Sequence, residues 1–439
     1  MKPRNRKSAA STSLSAREIA LRVLERSGIA TPVQSLLDTI LKGGDFARQE
    51  ASLATELVYG YLRSEIQLSW LLGQFLKAPD KLPLAMHIIL GIAAYELLYL
   101  DRIPAHASVN AAVEAVRTRF GQGLSRVANG VLRSLIRHAE DEDVLAPLYY
   151  VKRIPDPLQR LSIRYSLPVW ILELWISAYG QERAEAYAAA SAKVPWPCVR
   201  INTSRRNWTV LRNQLAQEGK NFALSGVRFA PGHAPESLHS WLAQGALSLQ
   251  GAGSQLVLEA LDVQNWKGPV WDACAGRGGK TLALMEQGLS ILAASDVYLP
   301  RLRGLHADAR RLELSPPPLI CASATAPAIK GKPQTILLDV PCSGLGTLAR
   351  HPDLRMLRTP DQIRGLVSLQ EQILDTAWAI LPSGGHIAYV TCTINPEENE
   401  IQVARFLERH PEGVLDRQWT SPPDDFGTDL MYGALIGKP

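Results

Sequence analysis

From residue 246 onward, five short apolar stretches alternate with segments of helical character. They are Pro-Val-Trp-Asp-Ala-Cys (269–274), Ile-Leu-Ala-Ala-Ser-Asp-Val (291–297), Pro-Pro-Leu-Ile-Cys-Ala-Ser (317–323), Thr-Ile-Leu-Leu-Asp-Val-Pro (335–341) and His-Ile-Ala-Tyr-Val-Thr-Cys (386–392). A run apolar on every residue, rather than on alternate ones, suits a strand buried on both faces. Strands of that kind separated by helices predict a parallel sheet with helices on both sides. Open sheets of this type gather their chemistry at the carboxyl ends of the strands. Cys274, Cys342 and Cys392 all fall at or just beyond such ends.

The remainder of the 439-residue chain has a different grain. Such a length predicts two or three domains. Residues 15–139 read as helices throughout, with breaks at Pro79, Pro83 and Pro104. Residues 140–245 mix a Trp-rich amphipathic helix with short strand candidates and predict a small α+β connector; 246–439 form the α/β domain. Residues 1–14 are basic and Ser-rich and predict a flexible tail. They lead into no apolar segment, so a secretory signal is not expected.

Five cysteines, an odd count with no Cys-x-x-Cys pair, argue against a disulfide framework and a structural zinc site. No run of about 18 apolar residues predicts a membrane span. The expectation is a cytoplasmic monomer with free thiols, no metal and no membrane partner. A net charge of +5 permits a nucleic-acid partner without requiring one.

The turn Cys274-Ala275-Gly276-Arg277-Gly278-Gly279-Lys280 joins the first strand to a helix. Glycine there lets a ligand approach the backbone closely. A phosphate-binding P-loop would need glycine where Cys274 stands. Asp296, about 20 residues on, ends the second strand, where a nucleoside cofactor's ribose takes an acidic partner. This pattern alone suits a dinucleotide or S-adenosylmethionine equally. Two thiols at further strand ends separate the two. Hydride transfer needs no thiol, whereas methylation at carbon 5 of a pyrimidine needs one to add at carbon 6 and make carbon 5 nucleophilic.

Larger segments carry a resemblance. Leu53–Arg63, Ile103–Arg117 and Ala128–His138 resemble the helical RNA-binding domain of the NusB-like group. Asp272–Thr281, Leu337–Arg355, Leu369–Trp378 and Tyr389–Leu407 resemble the RNA cytosine-5 methyltransferases. Together they make the chain similar to the bacterial 16S ribosomal RNA methyltransferases of the RsmB/Sun/Fmu type. The resemblance implies an all-α front, an α+β connector and a Rossmann-like S-adenosylmethionine-dependent domain. It implies an RNA partner, either 16S ribosomal RNA or a small-subunit assembly intermediate.

Residue by residue, it makes Cys392 the nucleophile, Cys342 the thiol that assists release, and Asp339 the acidic contact to the target cytosine. It assigns Asp296 to the cofactor ribose and residues 274–280 to the methionine part, with Arg301, Ser323 and Asp339 also among the cofactor contacts. Arg350, His351, Pro352, Asp353 and Arg355 are expected beside the RNA channel. Two positions depart from the family pattern. Arg277 replaces the proline of the usual Ala-Pro-Gly-Gly-Lys loop, and Ser323 stands where an aspartate usually holds the adenine. Both predict weaker cofactor binding and keep open a relic that binds RNA without catalysis. A transfer-RNA substrate also stays open. Glu397 and Glu398 read as charges favouring a helix start, and Arg205-Arg206 and Arg310-Arg311 as solvated faces.

Overall fold

The structure, a computed structural model, describes residues 14–28 and 31–439. All but the last residue of the expected basic tail therefore lies outside the described residues. The chain divides into two compact units, Met1–Leu172 and Glu173–Pro439.

The first unit is helical. Its first helix, Ala16–Arg26, opens with a capping box: the Ser15 hydroxyl accepts from Glu18 N–H while Glu18 reaches back to Ser15 N–H. Long helices follow at Arg48–Gly73, Leu84–Tyr99 and Ala105–Asp141, the last kinked at Gly121, where φ is +82°. Leu57, Val58, Leu68, Leu71, Leu90, Val116, Leu132 and Leu135 fill one core. Glu96 is buried beneath them and paired with Arg17 at 2.8 Å. Of the residues grouped in sequence as a connector, those in helices Pro147–Arg153 and Pro157–Tyr165 pack in this unit.

The second unit holds two sheets. Strands β1 (Cys198–Ile201), β2 (Lys220–Asn221), β3 (Gly226–Arg228) and β4 (Leu247–Leu249) form an antiparallel sheet ordered β2-β3-β1-β4. The larger sheet comprises β5 (Val270–Asp272), β6 (Ile291–Asp296), β7 (Leu319–Cys321), β8 (Thr335–Asp339), β9 (His386–Thr391), β10 (Val414–Thr420) and β11 (Tyr432–Gly437). Its order is β10-β11-β9-β8-β5-β6-β7. All five expected strands are present and parallel.

Two further strands make the sheet mixed. β11 runs antiparallel to both β9 and β10. Residues 421–431 between β10 and β11 contain no helix to carry a parallel crossover, so the chain turns straight back. The two-sided burial read from the apolar runs is visible on β8. Ile336 and Leu338 enter one core with Trp271, Tyr389, Trp378 and Phe406, whereas Leu337 enters the other with Val257, Ala283 and Ala388.

The small sheet also grips the helix Gly279–Glu286. Arg200 on β1 donates to both Glu286 oxygens at 2.7 and 2.8 Å and to the Gly279 carbonyl at 2.7 Å. Both partners are buried, and removing one member of such a pair costs about 3–5 kcal/mol. Arg311 is likewise no solvated cation: its guanidinium donates to the carbonyls of Leu242 and Leu247 at 2.7 and 2.9 Å.

Candidate active site

Strand order lays the chemistry out in a row. Passing through β9, β8, β5, β6 and β7, the carboxyl ends carry Cys392, then Asp339 and Cys342, then the glycine turn, then Asp296, then Ser323. Cys342 and Cys392 are 50 residues apart in sequence, yet β8 and β9 are neighbours in register, with Asp339 opposite Val390. Their sulfurs lie 3.1 Å apart, and Cys392 N–H donates to the Cys342 sulfur at 3.2 Å. Both thiols are free and half-buried. The hydrogen bond to Cys392, together with burial, pushes the Cys342 thiol well above the ordinary range.

Asp339 faces Lys280, whose ammonium lies 2.6 Å from the carboxylate. Burial opposes the charge on Lys280, but the Asp339 carboxylate prevails and holds it above its usual range. The lysine assigned by resemblance to the cofactor loop therefore reaches the thiol side of the site. It joins the two halves.

The turn itself is built by backbone geometry. Gly276 and Gly278 have φ of +57° and +82°. A side chain at Gly278 would also meet Leu305 at 2.4 Å, so glycine is required there twice over. Asp272 at the end of β5 is buried; it accepts from the Thr281 hydroxyl at 2.6 Å and from Cys274 N–H at 3.3 Å. Burial, aided by the Asp339 charge, raises its carboxyl to about 7. Burial and the charges of Asp272, Asp339 and Asp296 push the Cys274 thiol well up.

Asp296 accepts from Gly276 N–H at 3.0 Å and from Tyr298 N–H at 2.8 Å. These bonds aim the carboxylate across the turn and leave lone pairs for further donors. Val297 and Tyr298 beside it are more than half exposed, and the position a side chain would take at Gly276 is open space. An acceptor for ribose hydroxyls, apolar surface for a purine and an open backbone turn fit S-adenosylmethionine. Arg301 lies at the rim, 3.8 Å from Asp296 and over the Tyr298 ring.

Arg277 does not fill the turn. Its side chain is largely exposed, lies against Gly304 and reaches Asp308 at 3.9 Å. Ser323 folds onto its own loop: its hydroxyl lies 2.8 Å from that of Thr325 and accepts from Thr325 N–H at 3.2 Å.

Two residues of the basic segment are held by partners within the protein. Arg355 is fully buried and donates to the Ser191 carbonyl at 2.6 Å. Arg350 pairs with Asp429 at 3.1 Å. Local sequence also hid the side chains behind the thiols. Glu398, read as a helix-start charge, is fully buried and bonded to Ser343, Gln370 and Asn395. The signal that could have found it was the Ser after Cys342 and the Asn-Pro-Glu-Glu after Cys392, both rich in hydrogen-bonding groups.

Comparisons with known proteins place the chain in a family. Residues 258–429 match the family described as 16S rRNA methyltransferase RsmB/F, and residues 14–137 match the NusB family. The chain is 33% identical to the probable ribosomal RNA small subunit methyltransferase B of Synechocystis sp., over 93% of each protein. It is 32% identical to ribosomal RNA small subunit methyltransferase B of Vibrio cholerae, over 89% of this chain and 90% of that one. The crystal structure of PH0851 shares the fold, with a TM-score of 0.74 and 21% identity over 97% of this chain and 99% of that one. A thiol-bearing Rossmann-like unit behind a NusB-family helical unit, matched along nearly its whole length, belongs to the RsmB/F family of S-adenosylmethionine-dependent ribosomal RNA methyltransferases.

Proposed function

We propose that the chain methylates carbon 5 of a cytidine in 16S ribosomal RNA through a covalent adduct on Cys392. The observation that carries this reading is the contact of Cys342 with Cys392 at 3.1 Å, beside the Lys280–Asp339 pair. S-adenosylmethionine supplies the electrophilic methyl group. Cys392 sulfur adds to carbon 6 of the ring, and the displaced electron pair makes carbon 5 nucleophilic. Asp339, held by Lys280, accepts from the amino group on the ring edge and so orients the ring for the addition. Once carbon 5 carries the methyl group, a solvent base takes the carbon-5 proton, the freed electron pair re-forms the 5,6 double bond, and the Cys392 sulfur leaves with the electrons of its bond to carbon 6. The neutral Cys342 thiol hydrogen-bonds Cys392 sulfur and assists its departure.

The helical unit supports an RNA substrate. Arg126, Arg133 and Arg137 are exposed along one helix and donate to neutral groups, leaving their charge for phosphates. Such contacts offset the few kcal/mol needed to unstack the target base. Incubating unmodified small-subunit RNA with methyl-labelled S-adenosylmethionine tests the reading. Label is expected in 5-methylcytidine; its absence beside an active control enzyme sinks the proposal.

A further inference from the structure

Glu398 takes no part in the reaction above, yet its carboxylate is fully buried. A buried carboxylate is destabilising unless its lone pairs are matched by donors. Here they are. One oxygen accepts from Ser343 N–H at 2.8 Å and from the Gln370 amide at 3.0 Å; the other accepts from the Ser343 hydroxyl at 2.5 Å and from the Asn395 amide at 3.0 Å.

These donors flank the two sulfurs. Ser343 follows Cys342 directly, and its hydroxyl lies 2.9 Å from that of Thr393, which follows Cys392. Asn395 stands three residues beyond Cys392. Gln370, on the helix Pro360–Ile380, also donates to the Pro341 carbonyl at 2.9 Å, one residue before Cys342. The Tyr389 hydroxyl on β9 donates to the Glu398 carbonyl at 2.7 Å. Both thiol loops are therefore tied to one side chain that is wholly shielded from the surface.

We infer that Glu398 is a positioning residue: by accepting from both loops at once it holds Cys342 and Cys392 in contact. The inference rests on the reading that these two thiols carry the reaction. Charge-assisted bonds are short and directional, and a displacement of about 1 Å at a reacting group costs roughly 100-fold in rate. Shape alone cannot substitute. In Glu398→Gln either orientation of the new amide sets an NH₂ group against a donor, that of Gln370 or that of Asn395.

The test reads thiol geometry without RNA. The purified full chain is treated with diamide, and the Cys342–Cys392 linkage is quantified by mass spectrometry. The two thiols give two protons and two electrons to the diazene, which becomes the hydrazine, while a sulfur–sulfur bond forms. The wild type is expected to form this linkage readily, and Glu398→Gln about tenfold more slowly, with kcat for methylation down roughly 100-fold and cofactor KM within about twofold. Ser343→Ala, which removes one of the four bonds to Glu398 together with the hydroxyl contact to Thr393, is expected to lie between the two. Linkage and turnover within twofold of wild type in both variants overturn the inference. So does a change confined to cofactor KM. If Glu398→Gln does not fold, an unchanged linkage rate in Ser343→Ala overturns it alone. A wild type that forms the linkage but methylates no RNA sinks the proposed reaction, and the relative linkage rates still decide the role of Glu398.

Discussion

The two corners of the site, side by side at the ends of neighbouring strands, are built on opposite plans. At the thiol corner, behind β8 and β9, Ser343, Thr393, Asn395, Glu398 and Gln370 are all buried and bonded to one another. At the cofactor corner, beyond β5, β6 and β7, Val297, Tyr298 and Arg277 face outward and backbone N–H groups do the aiming. The difference follows from what each must do. In the proposed reaction two sulfurs keep a fixed separation through addition and elimination, and packing and hydrogen bonds restrict them accordingly. A cofactor must enter and its product leave on every turnover, so that corner keeps a rigid turn and an open mouth.

The largest effects should come from breaking the closed corner. Cys392→Ala should lower turnover by about 10⁴-fold or more and leave no protein–RNA adduct on denaturing gels. Cys342→Ala should also lose turnover but accumulate that adduct, because attack proceeds and release fails. Two variants that both methylate normally would overturn the assignment of either thiol.

The open corner should respond in binding rather than in chemistry. Asp296→Ala removes the buried carboxylate aimed across the turn and should weaken S-adenosylmethionine binding by roughly 10- to 100-fold in calorimetric titration, the loss of a charge-assisted bond. The Cys342–Cys392 linkage under diamide should stay within twofold. Arg277→Ala should change cofactor affinity by no more than about twofold, since its side chain lies against Gly304 and Asp308 and not in the turn. A tenfold gain in affinity from Arg277→Ala would show instead that the arginine obstructs the cofactor.

The smallest effect lies at the seam. Asp272 has its carboxyl raised by burial to about 7, so the fold favours its protonated form. Its contribution to stability is fully present below the ordinary carboxylate range near ~4 and declines as pH rises towards about 7. Asp272→Asn cannot ionise and should flatten that decline. Denaturant unfolding of both chains between pH 4 and 8 checks this; a steeper decline in the variant would contradict it.

The closed and open corners were not equally legible in sequence. The glycine turn and Asp296 follow local rules: a strand, a turn needing positive φ, a helix and an acidic residue on the next strand. The cysteines were visible as residue types at strand ends, and the resemblance assigned them roles. Glu398 does stand in the first turn of a helix, as two acidic residues after a proline suggest, but that reading gave no sign of its buried bonds. Nothing local shows that the second is buried while the first pairs with Arg405 at the surface. Arg311 and Arg355 were misjudged for the same reason, since a guanidinium inside a protein differs from one outside only by its neighbours.

By itself the sequence determined the alternation of strands and helices, the burial of the sheet on both faces and the conformation of the cofactor turn. Each depends on residues within a few positions of one another, where periodicity and φ preferences act. Only the tertiary structure decided that β11 inserts antiparallel between β9 and β10, that β8 lies beside β9, and that sulfurs 50 residues apart come to 3.1 Å. Those outcomes rest on which strands become neighbours and on polar groups that must find partners once water is excluded. Glu398 is the plainest case: its partners lie 3 to 55 residues away, and only the completed sheet brings them to it.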